Sequence, residues 1–144
     1  MIQKNFEIDS DSNALKPVRD DIAFFLKESG RSKSDLETML VAICEGITNA
    51  IRHSYHNEGG HKIKIDLIDE AEKTVIKIRD YGTKIDLSKV PVPKLPPDRS
   101  GGLGIHFMKT MMDDVEYRTD HEVGNELILT KFKKGRHRRP GLKD

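Results

Sequence analysis

The chain has a single cysteine, Cys44, so neither an intrachain disulfide nor a cysteine-rich zinc site is open to it. It has no apolar run approaching the ~18 residues of a membrane span. Residues 1–9 lack the apolar core of a signal peptide. Nor is there a surplus of one charge: 25 Lys and Arg against 24 Asp and Glu leave a formal +1, which argues against a general polyanion binder. No internal repeat is present. These absences leave a cytoplasmic protein with no expected membrane contact. What is present is a chain of 144 residues, 35% hydrophobic and 34% charged, which fits one folded domain. At this size about two-thirds of the unfolded surface can be buried, enough for a core without covalent staples.

The near-zero charge conceals an asymmetry. Residues 131–144 hold seven Lys and Arg and one acid, or +6, while residues 1–130 hold 18 basic and 23 acidic residues, or −5. The boundary is drawn at a folded domain, 1–133, and a basic flexible tail, 134–144. The tail is either a solubilising terminus or a contact for RNA or an acidic partner, and direct nucleic-acid binding is not expected to set the function.

Ile2, Phe6 and Ile8 suggest an opening strand. Asp9 to Asn13 offer N-caps for a helix through Leu15, Val18, Ile22, Phe25 and Leu26, which Gly30 ends. Ser32 or Ser34 caps a second helix running to about Tyr55, with a stripe of Leu36, Leu40, Ile43, Ile47 and Ile51. A hairpin follows, with one strand alternating at Ile63, Ile65 and Leu67 and the next over 74–80. Pro91, Pro93, Pro96 and Pro97 then mark a long excursion, in the manner of a lid. A third helix follows through Ile105, Met108 and Met112, and two strands over 115–119 and 126–132 close the chain. The order predicts an α+β, two-layer sandwich: a mixed, mostly antiparallel sheet with helices on one face.

Three places break the simple rules of core and surface. Glu45, Asn49 and His53 stand four residues apart on the second helix, a stripe about 80° wide beside the apolar face. A carboxylate and an amide so placed supply a general base and an oxygen ligand for a hard cation, or else form an ordinary solvated face. Gly46 within that helix costs ~1 kcal/mol relative to Ala and asks for a close approach of something. Asp80 ends the row Thr74, Ile76, Ile78, where a carboxylate needs hydrogen bonds. A purine's exocyclic amine would serve, and so would the turn that follows. Gly101, Gly102, Leu103 and Gly104 open the third helix, as a phosphate cradle would, with Arg99 just before them. The run is neither a Walker A loop nor a Rossmann fingerprint.

Taken in order, Glu45-x-x-x-Asn49, Asp80-x-Gly82, a lid, and Gly102-x-Gly104 opening a helix resemble the GHKL ATPase superfamily and its Bergerat ATP-binding fold. Within it the chain is similar to the anti-sigma-factor serine kinases of the RsbW and SpoIIAB type. The likeness runs through residues 45–55, 80–82, 101–105, 111–117 and 124–127.

The resemblance implies that ATP is bound and ADP released, with Mg²⁺ held by Asn49 and with Glu45 accepting the proton of the substrate hydroxyl. It implies that Asp80 binds the adenine amine, that Gly82 gives the base room, and that Thr130 on the last strand supports it. Gly101, Gly102, Leu103, Gly104 and Ile105 would form the phosphate loop, Arg99 would approach the terminal phosphate, and His53 would be structural. A sigma factor and a STAS-type anti-sigma-factor antagonist are the implied partners, and a homodimer the implied assembly. Two departures are notable: Lys84 stands where Gly or Pro is common, and the lid is short and proline-laden. They motivate an alternative, a nucleotide-sensing binding module without useful kinase activity. No phospho-accepting helical hairpin is present, which excludes a complete sensor histidine kinase.

Overall fold

A computed structural model describes residues 1–89 and 104–133; the lid prolines, Arg99, Gly101, Gly102, Leu103 and the tail 134–144 lie outside the described residues. The chain forms β1 (Ile2–Asp9), α1 (Leu15–Lys27), α2 (Lys33–Asn49), β2 (Lys62–Asp69), β3 (Lys73–Asp80), α3 (Ile105–Met111), β4 (Asp114–Arg118) and β5 (Asn125–Phe132). The strands make one sheet in the order β1-β2-β3-β5-β4, and every pairing is antiparallel.

Period two decides which side of the sheet is covered. Ile63, Ile65 and Leu67 on β2, Ile76 and Ile78 on β3, and Leu127 and Leu129 on β5 are buried and lie side by side across the register. The α1 stripe of Val18, Ile22 and Leu26 and the α2 stripe of Met39, Leu40, Ile43 and Ile47 join them in one core. Each of these aliphatics contributes roughly 1.5–3 kcal/mol on burial. Ser32 caps α2, its side chain accepting from the Asp35 N–H at 3.1 Å. Gly46 has its explanation here: a Cβ would lie 2.6 Å from Leu127 Cδ2 and 2.8 Å from Ile78 Cδ1, so its absence lets α2 sit directly on the sheet.

Two arginines fasten the ends of β3. Arg31, in the α1–α2 connection, has a side chain only 2% exposed. Its guanidinium donates to Thr74 Oγ1, Asp35 Oδ2 and the carbonyls of Lys131 and Phe132. On the open side of the sheet, Arg79 donates to the carbonyls of Asp80, Val123 and Asn125 and stacks on Tyr81 with its Cζ 4.4 Å from the ring centroid. Among the described residues no helix is long and apolar enough to cross a membrane.

Candidate functional site

The site is built where α2 ends. Glu45 and Asn49 lie one turn apart on regular α-helix, and the chain then widens into a π-helical turn, Ala50–Ser54, closed by the Tyr55 N–H donating to the Ala50 carbonyl at 3.0 Å. Such widening recurs at functional sites. The regular helix expected to Tyr55 therefore stops at Asn49, and half-buried His53 lies within the widened turn. The widening also aims Ser54 at the end of β3.

There Asp80 sits 3% exposed on the helix-covered side of the sheet, as the alternation predicts. Its Oδ2 accepts from Ser54 Oγ at 2.9 Å and its Oδ1 from the Gly82 N–H at 3.0 Å. Asn125, the first residue of β5, donates to Oδ1 at 3.1 Å and to Oδ2 at 3.4 Å. A carboxylate has about four acceptor positions, and these four contacts hold it in place; the Asn125 contact at 3.4 Å is the long one that a further N–H would displace. Burial nevertheless pushes the Asp80 pKa up, against the lowering by the Gly82, Asn125 and Ser54 hydrogen bonds.

Glycines close the frame. A Cβ on Gly82 would lie 2.3 Å from the Ser54 carbonyl oxygen, and one on Gly124 would lie 2.1 Å from the Asp80 carbonyl oxygen. Gly82 is thus needed for backbone packing as well as for any room it gives a base. Gly104, left-handed at φ +66, caps α3 on top of Glu45: a Cβ there would lie 2.2 Å from Glu45 Oε1. Ile105 behind it is buried in the core. Lys84 donates to the His121 carbonyl, tying the strand-exit loop to the β4–β5 turn.

The part that joins the two halves is Tyr117 on β4. Asn49 Nδ2 donates to its hydroxyl at 3.1 Å, and the carboxylates of Asp80 and Glu45 both act on it electrostatically. Burial, with those two charges, raises its pKa above the ordinary tyrosine range, so the phenol stays protonated. Glu45, Asn49, Asp80, Gly82 and Gly104 therefore share one side of the molecule.

Thr130 does not join them, and its expected role is corrected. It pairs with Val75 and Asp114, on the face of the sheet away from the helices, five residues and hence one face removed from Asn125. Asn125, Ser54 and Tyr117 are the site residues that the sequence reading missed. The alternation of Leu127 and Leu129 carried the signal for Asn125, since counting back by two reaches it.

Among the described residues no group of three or more His, Cys, Asp and Glu could hold a metal ion. A single buried amide beside one carboxylate instead suits Mg²⁺, which keeps its waters and binds chiefly through substrate phosphates.

Comparison with known proteins agrees with the geometry. The family described as the histidine kinase-like ATPase domain matches residues 8–131. The chain belongs to that family. It is 30% identical over 114 residues to an anti-sigma F factor of Oceanobacillus iheyensis, covering 76% of this chain and 78% of that one. It is also 30% identical over 112 residues to the serine-protein kinase RsbW of Listeria monocytogenes, covering 72% of this chain and 70% of that one. A solved structure of the RsbU and RsbW domains of a Mycobacterium tuberculosis protein superposes with TM-score 0.66 over 92% of this chain at 18% identity. This chain spans 33% of that longer one, and the likeness is one of fold.

Proposed function

We propose that the chain is an ATP-dependent anti-sigma factor that sequesters a sigma factor and phosphorylates a serine of a STAS-type antagonist, acting as a homodimer in the cytoplasm. The observation that carries this reading is the placement of Glu45 against Gly104, one helical turn from Asn49, with Asp80 on the same side of the sheet. A purine amine would donate to Asp80, and the triphosphate would run towards Glu45 and the head of α3. The relatives named anti-sigma F factor and serine-protein kinase RsbW support the same reading.

The chemistry asked of the residues is positioning and charge control. Glu45 takes the proton of the attacking serine hydroxyl as its oxygen bonds to the γ-phosphorus. The bond from that phosphorus to the β–γ bridging oxygen breaks, and ADP carries the electron pair away. Mg²⁺, when bound, neutralises phosphate charge. Asn49 would hold it through the amide oxygen, and Asp80 fixes the far end of the nucleotide. Arg99, Gly101, Gly102 and Leu103 remain assigned to the phosphates by motif.

The test is transfer of labelled γ-phosphate to a purified STAS antagonist with Mg²⁺ present. Glu45→Gln is expected to lower labelling about 10²–10⁴-fold while ATP binding persists. Undiminished labelling removes Glu45 from this role. Nucleotide-dependent partner binding without any transfer favours the sensing module instead.

A further inference from the structure

We propose that Asn125 is a positioning residue that sets base specificity through Asp80: it leaves that carboxylate room for the single N–H of an adenine amine and closes it to the paired N–H edge of guanine. The inference rests on the reading of Asp80 as the acceptor for the base. Asn125 is 0% exposed, and its amide can sit only one way round. The Ile85 backbone N–H donates to its Oδ1 at 2.8 Å, and a backbone N–H cannot accept. Nδ2 is therefore the donor end. It faces the Thr83 carbonyl at 3.0 Å, Ser54 Oγ at 3.1 Å and both oxygens of Asp80.

Those two oxygens are not filled alike. Oδ1 holds the Gly82 N–H at 3.0 Å and Asn125 at 3.1 Å, two full contacts for its two acceptor positions. Oδ2 holds Ser54 at 2.9 Å and only the long Asn125 contact at 3.4 Å. One incoming N–H can displace that long contact and bind at Oδ2. Guanine offers N1–H and its N2 amine side by side, and a carboxylate takes such a pair with one oxygen for each. Oδ1 has no position to give. Asn125 cannot step aside to release one, because the Ile85 N–H and the Thr83 carbonyl hold both ends of its amide.

Binding of ATP, GTP and ITP is measured by calorimetry for wild type, Asn125→Ala, Asn125→Ser, Ser54→Ala and Asp80→Ala, with thermal unfolding as the check on folding. GTP and ITP differ only in the N2 amine, so the ratio of their affinities reads the second donor. Asn125→Ala is expected to raise GTP over ITP about tenfold relative to wild type and to narrow the preference for ATP over GTP. Asn125→Ser, whose hydroxyl stops one bond short of the Nδ2 position, should do the same where the alanine variant does not fold. Ser54→Ala frees Oδ2 alone and should leave the GTP-to-ITP ratio where it is. A ratio unmoved by the Asn125 variants overturns the proposal. So does one that moves equally in Ser54→Ala, the mark of general loosening. An ATP preference that is missing in wild type, or that survives Asp80→Ala, removes the Asp80 reading and this inference with it.

Discussion

Asn125 spans both carboxylate oxygens of Asp80 with one amide nitrogen, at 3.1 and 3.4 Å. The same nitrogen reaches Ser54 Oγ at 3.1 Å and the Thr83 carbonyl at 3.0 Å, while its Oδ1 accepts from the Ile85 N–H at 2.8 Å. Asn125 thereby ties together the Asp80 carboxylate, the π-helical turn and the loop leaving β3. Asn125→Ala strands these buried partners, at a cost of about 1–3 kcal/mol for each group left unsatisfied. Urea unfolding should show that loss, and nucleotide titration a weaker ATP affinity in the protein that remains folded. Full ATP affinity in the variant would show that Asp80 needs no such support.

The raised pKa of Asp80 has a sign that can be followed through stability. In the unfolded chain an aspartate titrates near ~3.9. In the folded protein burial moves Asp80 above the ordinary aspartate value. Between the two values the folded state holds the proton and the unfolded state has lost it, so stability falls as pH rises through the folded pKa. Asp80→Asn removes this component. The difference in unfolding free energy, wild type minus Asp80→Asn, should decline with rising pH from about 4 upward. A difference that grows over the same range would mean that hydrogen bonding outweighs burial. ATP binding should run the other way, strengthening as the carboxylate ionises and becomes the better acceptor.

Three glycines should fail in different ways. A Cβ at Gly82 or Gly124 meets backbone carbonyls, which cannot step aside without moving β3 or the π-helical turn. A Cβ at Gly104 meets the far end of the Glu45 side chain, which can swing away. Gly104→Ala is therefore expected to fold, with about 1 kcal/mol of strain from its positive φ, and to lose phosphate transfer through displacement of Glu45. Gly82→Ala and Gly124→Ala should lose thermal stability first. Gly30, also at positive φ but with nothing within 4 Å of its Cβ position, is the control that isolates backbone strain. A Gly104→Ala variant with normal transfer would detach Glu45 from the head of α3.

Much of this frame was legible because period carries burial. The strand 74–80 alternates, so Asp80 had to end an inward row, and it does. The stripe of α2 likewise announced which side of the helix meets the sheet. The π-helical turn had no such signal: Ala50 to Ser54 read as ordinary helix, and only the packing of Ser54 on Asp80 and Gly82 shows why the backbone widens. Thr130 was carried over from the resemblance, and parity tells against it: adjacent to inward Leu129, it had to point outward. Tyr117 was legible as part of a resemblance and not as a partner of Asn49, because the contact joins β4 to α2 across 68 residues.

The far end of β3 offers a prediction about the fold that should leave the site untouched. Arg31 donates to Thr74 Oγ1, which in turn donates to Asp69 Oδ1 at 2.7 Å, and Lys133 holds Asp69 at 3.2 Å. The guanidinium also takes Asp35 at 2.7 Å and two carbonyls at the end of β5, so one buried side chain locks the α1–α2 connection to β3 and β5. Arg31→Met leaves those acceptors buried and unpaired, with an expected loss of about 3 kcal/mol. Arg31→Lys keeps the charge but has three donors without the planar fork, and should recover only part of it. Thr74 and Asp80 are separated by about 20 Å of strand. Both variants should thus show a lower urea midpoint with unchanged ATP affinity in the folded protein. An affinity that falls in step with stability would mean that the two ends of β3 open together.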